Sequence, residues 1–520
     1  MGLKKRLTAI GILAVSAALV FGIAKSGMEM TTKEEEIFSK EKETIYLWYT
    51  DEALTSYLSS AAVTYNETHD VRIVPVLESG LEYLEKINQA SLQNDVPDLY
   101  VLSHDSLEKA YLAGLAKEVE PSEQMSMEEA YIGTGLKAAT YKDKIIGYPF
   151  YFETSALLYN KPYLEDMAKK QLEAEADVAE AEAAEKQLAQ EGPKEEVVQG
   201  NDFDEDISNP VEETDSEEAE VTKRMQELLP STIEEIKSFA DEYDAPEQVE
   251  AVFKWDVTDI FYNYFFIGAA VNMGGEAGWD TSQIDIYNEE AINNLRAYEE
   301  LNQFFSIDTS EVEYEKVIDE FIEGKLVFTV ATTDVVSKLE QAKAEGTFAY
   351  DYGITLTPDI NETMKTRPLS MTNCVVINSY SEHTEEANDF ARFLTSVYNV
   401  ILFDRTGKVS AAQNVDYGYE ALQEFAKEYG NSISMPKMVE TSNFWVQLEV
   451  AFSQIWNGAD ANQKLKELSE QIMQQVTGQA FEEEYIEEAP LESEEVEYLD
   501  EEYYKQEAME ESSESEEKEE

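Results

Sequence analysis

Cysteine is almost absent from this 520-residue chain. With Cys374 alone, no intramolecular disulfide can form and no thiolate-rich zinc site can be built. Three histidines, His69, His104 and His383, leave little imidazole for metal chemistry. Positive charge is scarce as well: 39 Lys and Arg face 109 Asp and Glu, for a formal net charge of -70. A field of that sign repels nucleic acids and anionic lipid headgroups. Apolar material is plentiful. At 43% hydrophobic and 11% aromatic residues the chain can bury a large core, and its length suits two or three domains' worth of fold. Burial rather than cross-linking must hold it together.

The negative charge is concentrated in two places. Glu165 to Glu220 carries 21 acidic and 4 basic residues, and Glu482 to Glu520 carries 20 and 2, so these stretches hold half the net charge. The first opens with Ala, Glu and Gln at helix-favouring density and ends in Pro, Gly, Asn, Asp and Ser, which reads as a solvated helix fading into disorder. The second has tyrosines but no sustained apolar face, and is expected to be a mobile acidic tail over 482–520. Asp202, Asp204, Asp206 and Glu213 approximate a calcium-loop register, but Ile207 stands where the loop needs glycine and Pro210 follows at the ninth position. No metal and no cofactor are expected.

Lys4, Lys5 and Arg6 precede an uncharged run, LTAIGILAVSAALVFGIA, from Leu7 to Ala24, ended by Lys25. That is the order of a secretory targeting segment, and 18 residues are enough to persist as an uncleaved membrane anchor. Residues 1–25 are therefore expected to be the signal or anchor segment and 26–43 a linker, placing the rest outside the cytoplasm.

From Thr44 the chain alternates strand and helix. TIYLWYT, VRIVPVL and PDLYVLS are short β-branched and aromatic runs, each followed by apolar residues at helical spacing. The alternation returns in GKLVFTVAT, FAYDYGITLTP and TNCVVINS, and indicates α/β architecture with parallel strands and right-handed crossovers.

The segments YLWYTDEALTSYLSSAAVTYNE, GLEYLEKINQASLQNDVPDLYVLSHDSLEKAYLAGL, KIIGYPFYFETSALLYNKPYL, GKLVFTVATTD, YGITLTP and, after MPKM, NFWVQLEVAFSQIWNG together resemble an extracellular solute-binding protein of an ATP-binding-cassette importer. They are most similar to the maltose and maltodextrin-binding branch. The resemblance runs from about Thr44 to about Gly478 and implies a two-lobe clamp of the type II periplasmic-binding class, whose hinge the chain crosses several times. One lobe would hold 44–152 and 372–429, the other 153–368 and 431–478, with the acidic insertion 165–222 leaving the second. It also implies an oligosaccharide ligand, the permease subunits of an importer as partners, and a monomeric receptor.

A sugar site needs hydrogen-bonding groups around a ring's rim and flat aromatic surface over its C–H faces. Asp51 and Glu52 follow the first strand, and His104 and Asp105 the third, at the carboxyl edge where α/β sheets bind ligands. Either aspartate also reads as a helix N-cap. The resemblance places an acidic sugar contact at Glu153 and a stacking indole at Trp445; Tyr262 and Tyr264, in an aromatic-dense run, read equally as cleft contacts and as core. At the family's other stacking position Thr332, Thr333 and Asp334 replace the aromatic, supplying hydroxyl and carboxyl partners instead. Two further readings use the same residues: a glycoside hydrolase working with paired carboxylates, or a surface adhesin or sensory ectodomain that passes nothing to a transporter.

Overall fold

A computed structural model describes residues 42–93, 96–120, 126–190, 210–441 and 443–487. The apolar segment Leu7–Ala24 lies outside these residues, as do Asp202, Asp204 and Asp206 of the calcium-like register. Among the described residues no helix is long and apolar enough to cross a membrane.

Ten strands form one continuous sheet: β1 (Glu43–Tyr49), β2 (Val71–Leu77), β3 (Leu99–Ser103), β4 (Tyr148–Asn160), β5 (Ala251–Phe253), β6 (Leu326–Thr332), β7 (Tyr352–Thr355), β8 (Leu369–Ile377), β9 (Val409–Ser410) and β10 (Ile433–Ser434). The order along the sheet is β2-β1-β3-β8-β4-β6-β5, with β7 and β9 paired to β4 and β10 to β8. The helices that matter below are α1 (Thr55–Thr68), α2 (Tyr83–Leu92), α3 (Lys161–Gln190), α4 (Pro210–Glu227), α5 (Val335–Glu345), α6 (Glu420–Asn431), α7 (Phe444–Trp456) and α8 (Ala461–Thr477).

Parallel pairing holds at β1 with β2 and β3, at β5 with β6 and at β8 with β10, but not along the run β3-β8-β4-β6. There β8 runs antiparallel to both β3 and β4, and β4 antiparallel to β6. The reason is the path of the chain: it leaves the first lobe along β4 and returns along β8, so the two must point in opposite directions. β4 belongs to both lobes. Its residues Tyr148–Thr154 pair with β8, and Ser155–Asn160 pair with β6 and β7. The changeover is sealed: Thr154 and Ser155 are fully buried, and Thr154 Oγ1 donates to the Leu369 carbonyl at 2.8 Å.

A large buried apolar cluster runs through both lobes, and a smaller one lies beside it in the first. In the smaller cluster, Trp48, Tyr100, Leu107, Tyr141 and Cys374 pack together. Burial pushes the Cys374 thiol up to about 12. In the second lobe, Trp255 meets Trp456 edge to face at 5.6 Å and donates its indole N–H to Asn263. Truncating such a side chain costs about 3–5 kcal/mol.

The described parts of the two acidic stretches are built into the fold. The insertion opens as the helix its composition suggests, the 30-residue α3, and returns as α4, while 191–209 between them lie outside the described residues. Glu165–Lys169 and Asp166–Lys170 are ion pairs one turn apart, in the favourable acid-first order. Arg224 of α4 reaches α3, pairing both nitrogens with Glu175 at 2.8 and 3.0 Å. The expected mobile tail likewise begins docked. Glu483 accepts from Ser469 Oγ at 2.6 Å, Ile486 N donates to the Tyr287 hydroxyl at 2.9 Å, and Asn462 Nδ2 donates to the Ile486 carbonyl at 2.9 Å. Ile486 packs on the core beside them. An isolated apolar residue with a matched set of hydrogen bonds was enough to fasten the segment against α8.

Candidate functional site

Asp51 stands two residues past the end of β1, where the chain turns into α1. Its Oδ1 accepts from Ala53 N at 3.0 Å, as an N-cap does. Its other oxygen lies 3.2 Å from Lys408 Nζ, which also reaches Glu153 Oε1 at 3.4 Å and sits 5.4 Å from the centre of the Tyr151 ring. Burial works against the Lys408 ammonium, yet Glu153 and Asp51 hold its pKa above the ordinary lysine value. One cation from the first lobe therefore gathers two acceptors, one at the tip of β1 and one on the strand the lobes share.

Thr333 and Asp334 face this cluster from the second lobe, at the passage from β6 to α5. Asp334 Oδ1 accepts from Thr332 Oγ1 and lies 3.4 Å from the Tyr314 hydroxyl. Ala53, Glu153, Thr333, Asp334, Arg405 and Lys408 border a cleft of about 400 Å³ between the lobes. The lobes meet closely at its edge. Gly407 has φ +70°, and a Cβ there would stand 2.9 Å from Ser337 Oγ, so both conformation and space call for glycine. Asp51 and Tyr151 also border a larger groove of about 780 Å³ running over the first lobe past Tyr83, Asn88 and Ser106. Because both touch Lys408, the two spaces adjoin. Two polar atoms on this side are buried without a partner, the Tyr83 hydroxyl and Asp105 Oδ1. Together the surfaces offer carboxylate acceptors, hydroxyls and three cationic side chains, Lys109, Arg405 and Lys408.

The ten residues singled out from sequence divide into groups. Asp51, Glu153, Thr333 and Asp334 come together around the cleft, and Asp105 lies beside the larger groove through Ser106. Glu52 is exposed, on the turn that Asp51 caps. His104 is turned inward, which corrects its assignment as a ligand contact. It is fully buried, its Nδ1 accepts from Thr372 N at 3.0 Å, and its Nε2–H donates to the Met435 carbonyl at 2.8 Å. Burial, helped by Lys437, pushes its pKa down to about 4. Tyr264 is 1% exposed and packs against half-buried Trp445 at 5.4 Å. Tyr262 stacks on Tyr314 at 4.6 Å, and through the Tyr314 hydroxyl it joins the Asp334 side of the cleft. Trp445 borders neither space as the lobes now stand.

Sequence reasoning missed Lys408 and Tyr151. Lys408 is 255 residues from Glu153, so no local spacing announces the pair. Tyr151 alternates with Phe150 and Phe152 and reads as core, which in burial it is.

Residues 60–416 match the family described as bacterial extracellular solute-binding protein. Among solved structures, an extracellular solute-binding protein from Staphylococcus aureus in complex with maltose is similar at a TM-score of 0.63 and 19% identity, over 84% of this chain and 98% of that one. A cyclo/maltodextrin-binding protein complexed with maltotetraose gives 0.63 and 18%, over 86% and 100%. The maltose-binding periplasmic protein MalE from Listeria monocytogenes, in complex with maltose, gives 0.60 and 17%, over 85% and 100%. At these identities the likeness establishes the fold alone. Among curated proteins, none matches the sequence. The family match spans both lobes and the strand they share, and the chain belongs to the bacterial extracellular solute-binding proteins.

Proposed function

We propose that this protein is the receptor of an ABC-type importer, capturing a maltose-like or malto-oligosaccharide-like carbohydrate between its lobes and releasing it unchanged. The observation that carries the reading is the cleft itself. Asp51 and Glu153, gathered by Lys408, face Thr333 and Asp334 across the lobe boundary, so one solute can bridge both lobes. A neutral sugar can add hydroxyl donors to the remaining lone pairs of these carboxylates. Maltose and maltotetraose in the neighbouring structures favour a glucan. The adjoining groove over the first lobe gives room for more than one sugar unit.

In this reading the lobes are 44–152 with 372–429 and 153–368 with 431–478. Contacts from both favour the closed arrangement, a population shift that presents a changed surface to the permease subunits. Membership of an extracellular family supports an extracytoplasmic location, with the Leu7–Ala24 segment as the membrane anchor of a monomeric receptor. An affinity near micromolar, about -8 kcal/mol, lets such a receptor both capture and release.

Calorimetric titration with maltose, maltotriose and longer malto-oligosaccharides, alongside other disaccharides and polyols, tests the proposal. Saturable binding of the glucans is expected. No heat with any sugar or polyol would remove the carbohydrate reading, and cleavage of the oligosaccharide during the titration would replace receptor with hydrolase.

A further inference from the structure

With 109 acids to 39 bases in this chain, a cation left without a partner is out of the ordinary. Among the described residues, Arg72, Lys109 and Arg405 are the cations that make no ion pair, side-chain hydrogen bond or ring contact. Arg72 lies opposite Thr44 at the amino end of β1 and β2, the end away from Asp51. The other two border the candidate site, Lys109 the first-lobe groove and Arg405 the cleft between the lobes.

The backbone that carries Arg405 is fixed, while its side chain is uncommitted. Arg405 is exposed on the short helix Leu402–Thr406, whose Leu402 and Phe403 are buried. Thr406 Oγ1 donates to the Leu402 carbonyl at 2.7 Å and accepts from Lys408 N at 3.0 Å, and Gly407 N donates to the Phe403 carbonyl at 2.7 Å. Two residues further on, Val409 and Ser410 pair with Phe152 and Tyr151 of β4. The chain is thus tied on both sides of the cleft rim. A cation at the end of a helix suits its dipole, but a lysine would serve that purpose as well, and a dipole leaves the guanidinium's parallel N–H groups unspent.

We propose that Arg405 is a specificity-determining residue of the cleft, its guanidinium fork donating to two neighbouring hydroxyl oxygens on one ring of a neutral sugar. The inference rests on the carbohydrate reading above. Each sugar hydroxyl accepts as well as donates, and the carboxylates of the cleft can only accept. Lys408 is turned to Asp51 and Glu153, and Thr406 is spent on its own helix, so neither is a free donor. Arg405 supplies what is missing, and supplies it as a planar pair, which fits adjacent oxygens as a point charge does not. An acidic solute fits worse. Glu153, Asp334 and Asp404 border the same cleft, in a chain of net charge -70, and would repel a carboxylate or phosphate.

The test is calorimetric titration of the full chain with maltose and maltotetraose, together with the NMR signals of the arginine side chains. The Arg405 Nε–H signal, assigned by its disappearance in Arg405→Lys, should move when the wild type is saturated with either sugar, while that of Arg72 stays. Arg405→Met should weaken binding at least about tenfold, and Arg405→Lys, which keeps the charge and loses the fork, should remain weaker than wild type. An unmoved Arg405 signal in the saturated protein, or an Arg405→Lys variant equal to wild type, overturns the fork and leaves the receptor reading standing. Maltobionate, a carboxylate analogue of maltose, binding more tightly than maltose and losing that advantage in Arg405→Met would show that the guanidinium reads an acid instead. No heat with either glucan ends this assignment, and no heat with any sugar of the wider panel ends the carbohydrate reading with it.

Discussion

Glu428 offers a test of the burial logic in which removing a charge strengthens the protein. Its side chain on α6 is 2% exposed and accepts from Thr357 N at 3.0 Å, with Asn431 as a further partner. Burial pushes its carboxyl up from the ordinary value to about 7, and Asp359 adds to the rise. Because the native pKa is raised, the unfolded chain gives up this proton first as pH climbs from about 4.5. Stability is thus lost between about 4.5 and 7, and the loss is complete above 7. At about 1.4 kcal/mol per pH unit the cost is about 3 kcal/mol. Glu428→Gln keeps an acceptor for Thr357 and cannot ionise. It should match wild type in urea unfolding near pH 4 and exceed it by about 3 kcal/mol at pH 8, the difference isolating this group from the many other carboxylates. A variant that parallels wild type at every pH, or is weaker at pH 8, would refute the reasoning.

Lys408→Met should weaken solute binding about tenfold in calorimetry, since Asp51 and Glu153 would face each other with no cation between them, and added salt should recover part of the loss. Unchanged affinity would show that the ammonium does not organise the site. Ending the chain after Gly478 should lower stability by about 2 kcal/mol through loss of the Ile486 contact and its hydrogen bonds, whereas ending it after Glu487 should leave urea unfolding unchanged. Joining Glu173 to Glu218 through a short Gly-Ser linker should move the melting temperature by no more than about 2 °C, because the Arg224–Glu175 pair it removes is at the surface. A larger drop in calorimetric melting would show that the arm supports the second lobe.

The alternation of strand and helix made the α/β architecture legible; the rule that ligands meet the carboxyl ends of strands led to Asp51, and the family resemblance to Asp334, both of which border the cleft or groove described above. The same rule chose His104 one residue before Asp105. It failed there because His104 opens the helical turn His104–Ser106 with its ring directed inward, where the Met435 carbonyl takes the imidazole N–H. Antiparallel pairing at the centre was not legible, because a crossing between lobes depends on the route of the whole chain and not on any local pattern. Lys408 escaped for a related reason: its partners are assembled by the fold from distant loops. At the return of the insertion along α4 and at the start of the tail composition misled. Net charge argues against burying a segment as a whole, but it does not prevent one isoleucine from docking or one arginine from pinning two helices.

Since a single thirteen-residue strand supplies rungs to both lobes, neither is a separable module. Expressed alone, either half would present an unsatisfied edge at the place where its neighbour's ladder should begin, an invitation to self-association. The same economy governs movement. A joint made of paired backbone can bend and twist as a ribbon but cannot swing as a slack linker does, so the opening of the proposed clamp would be confined to a narrow track.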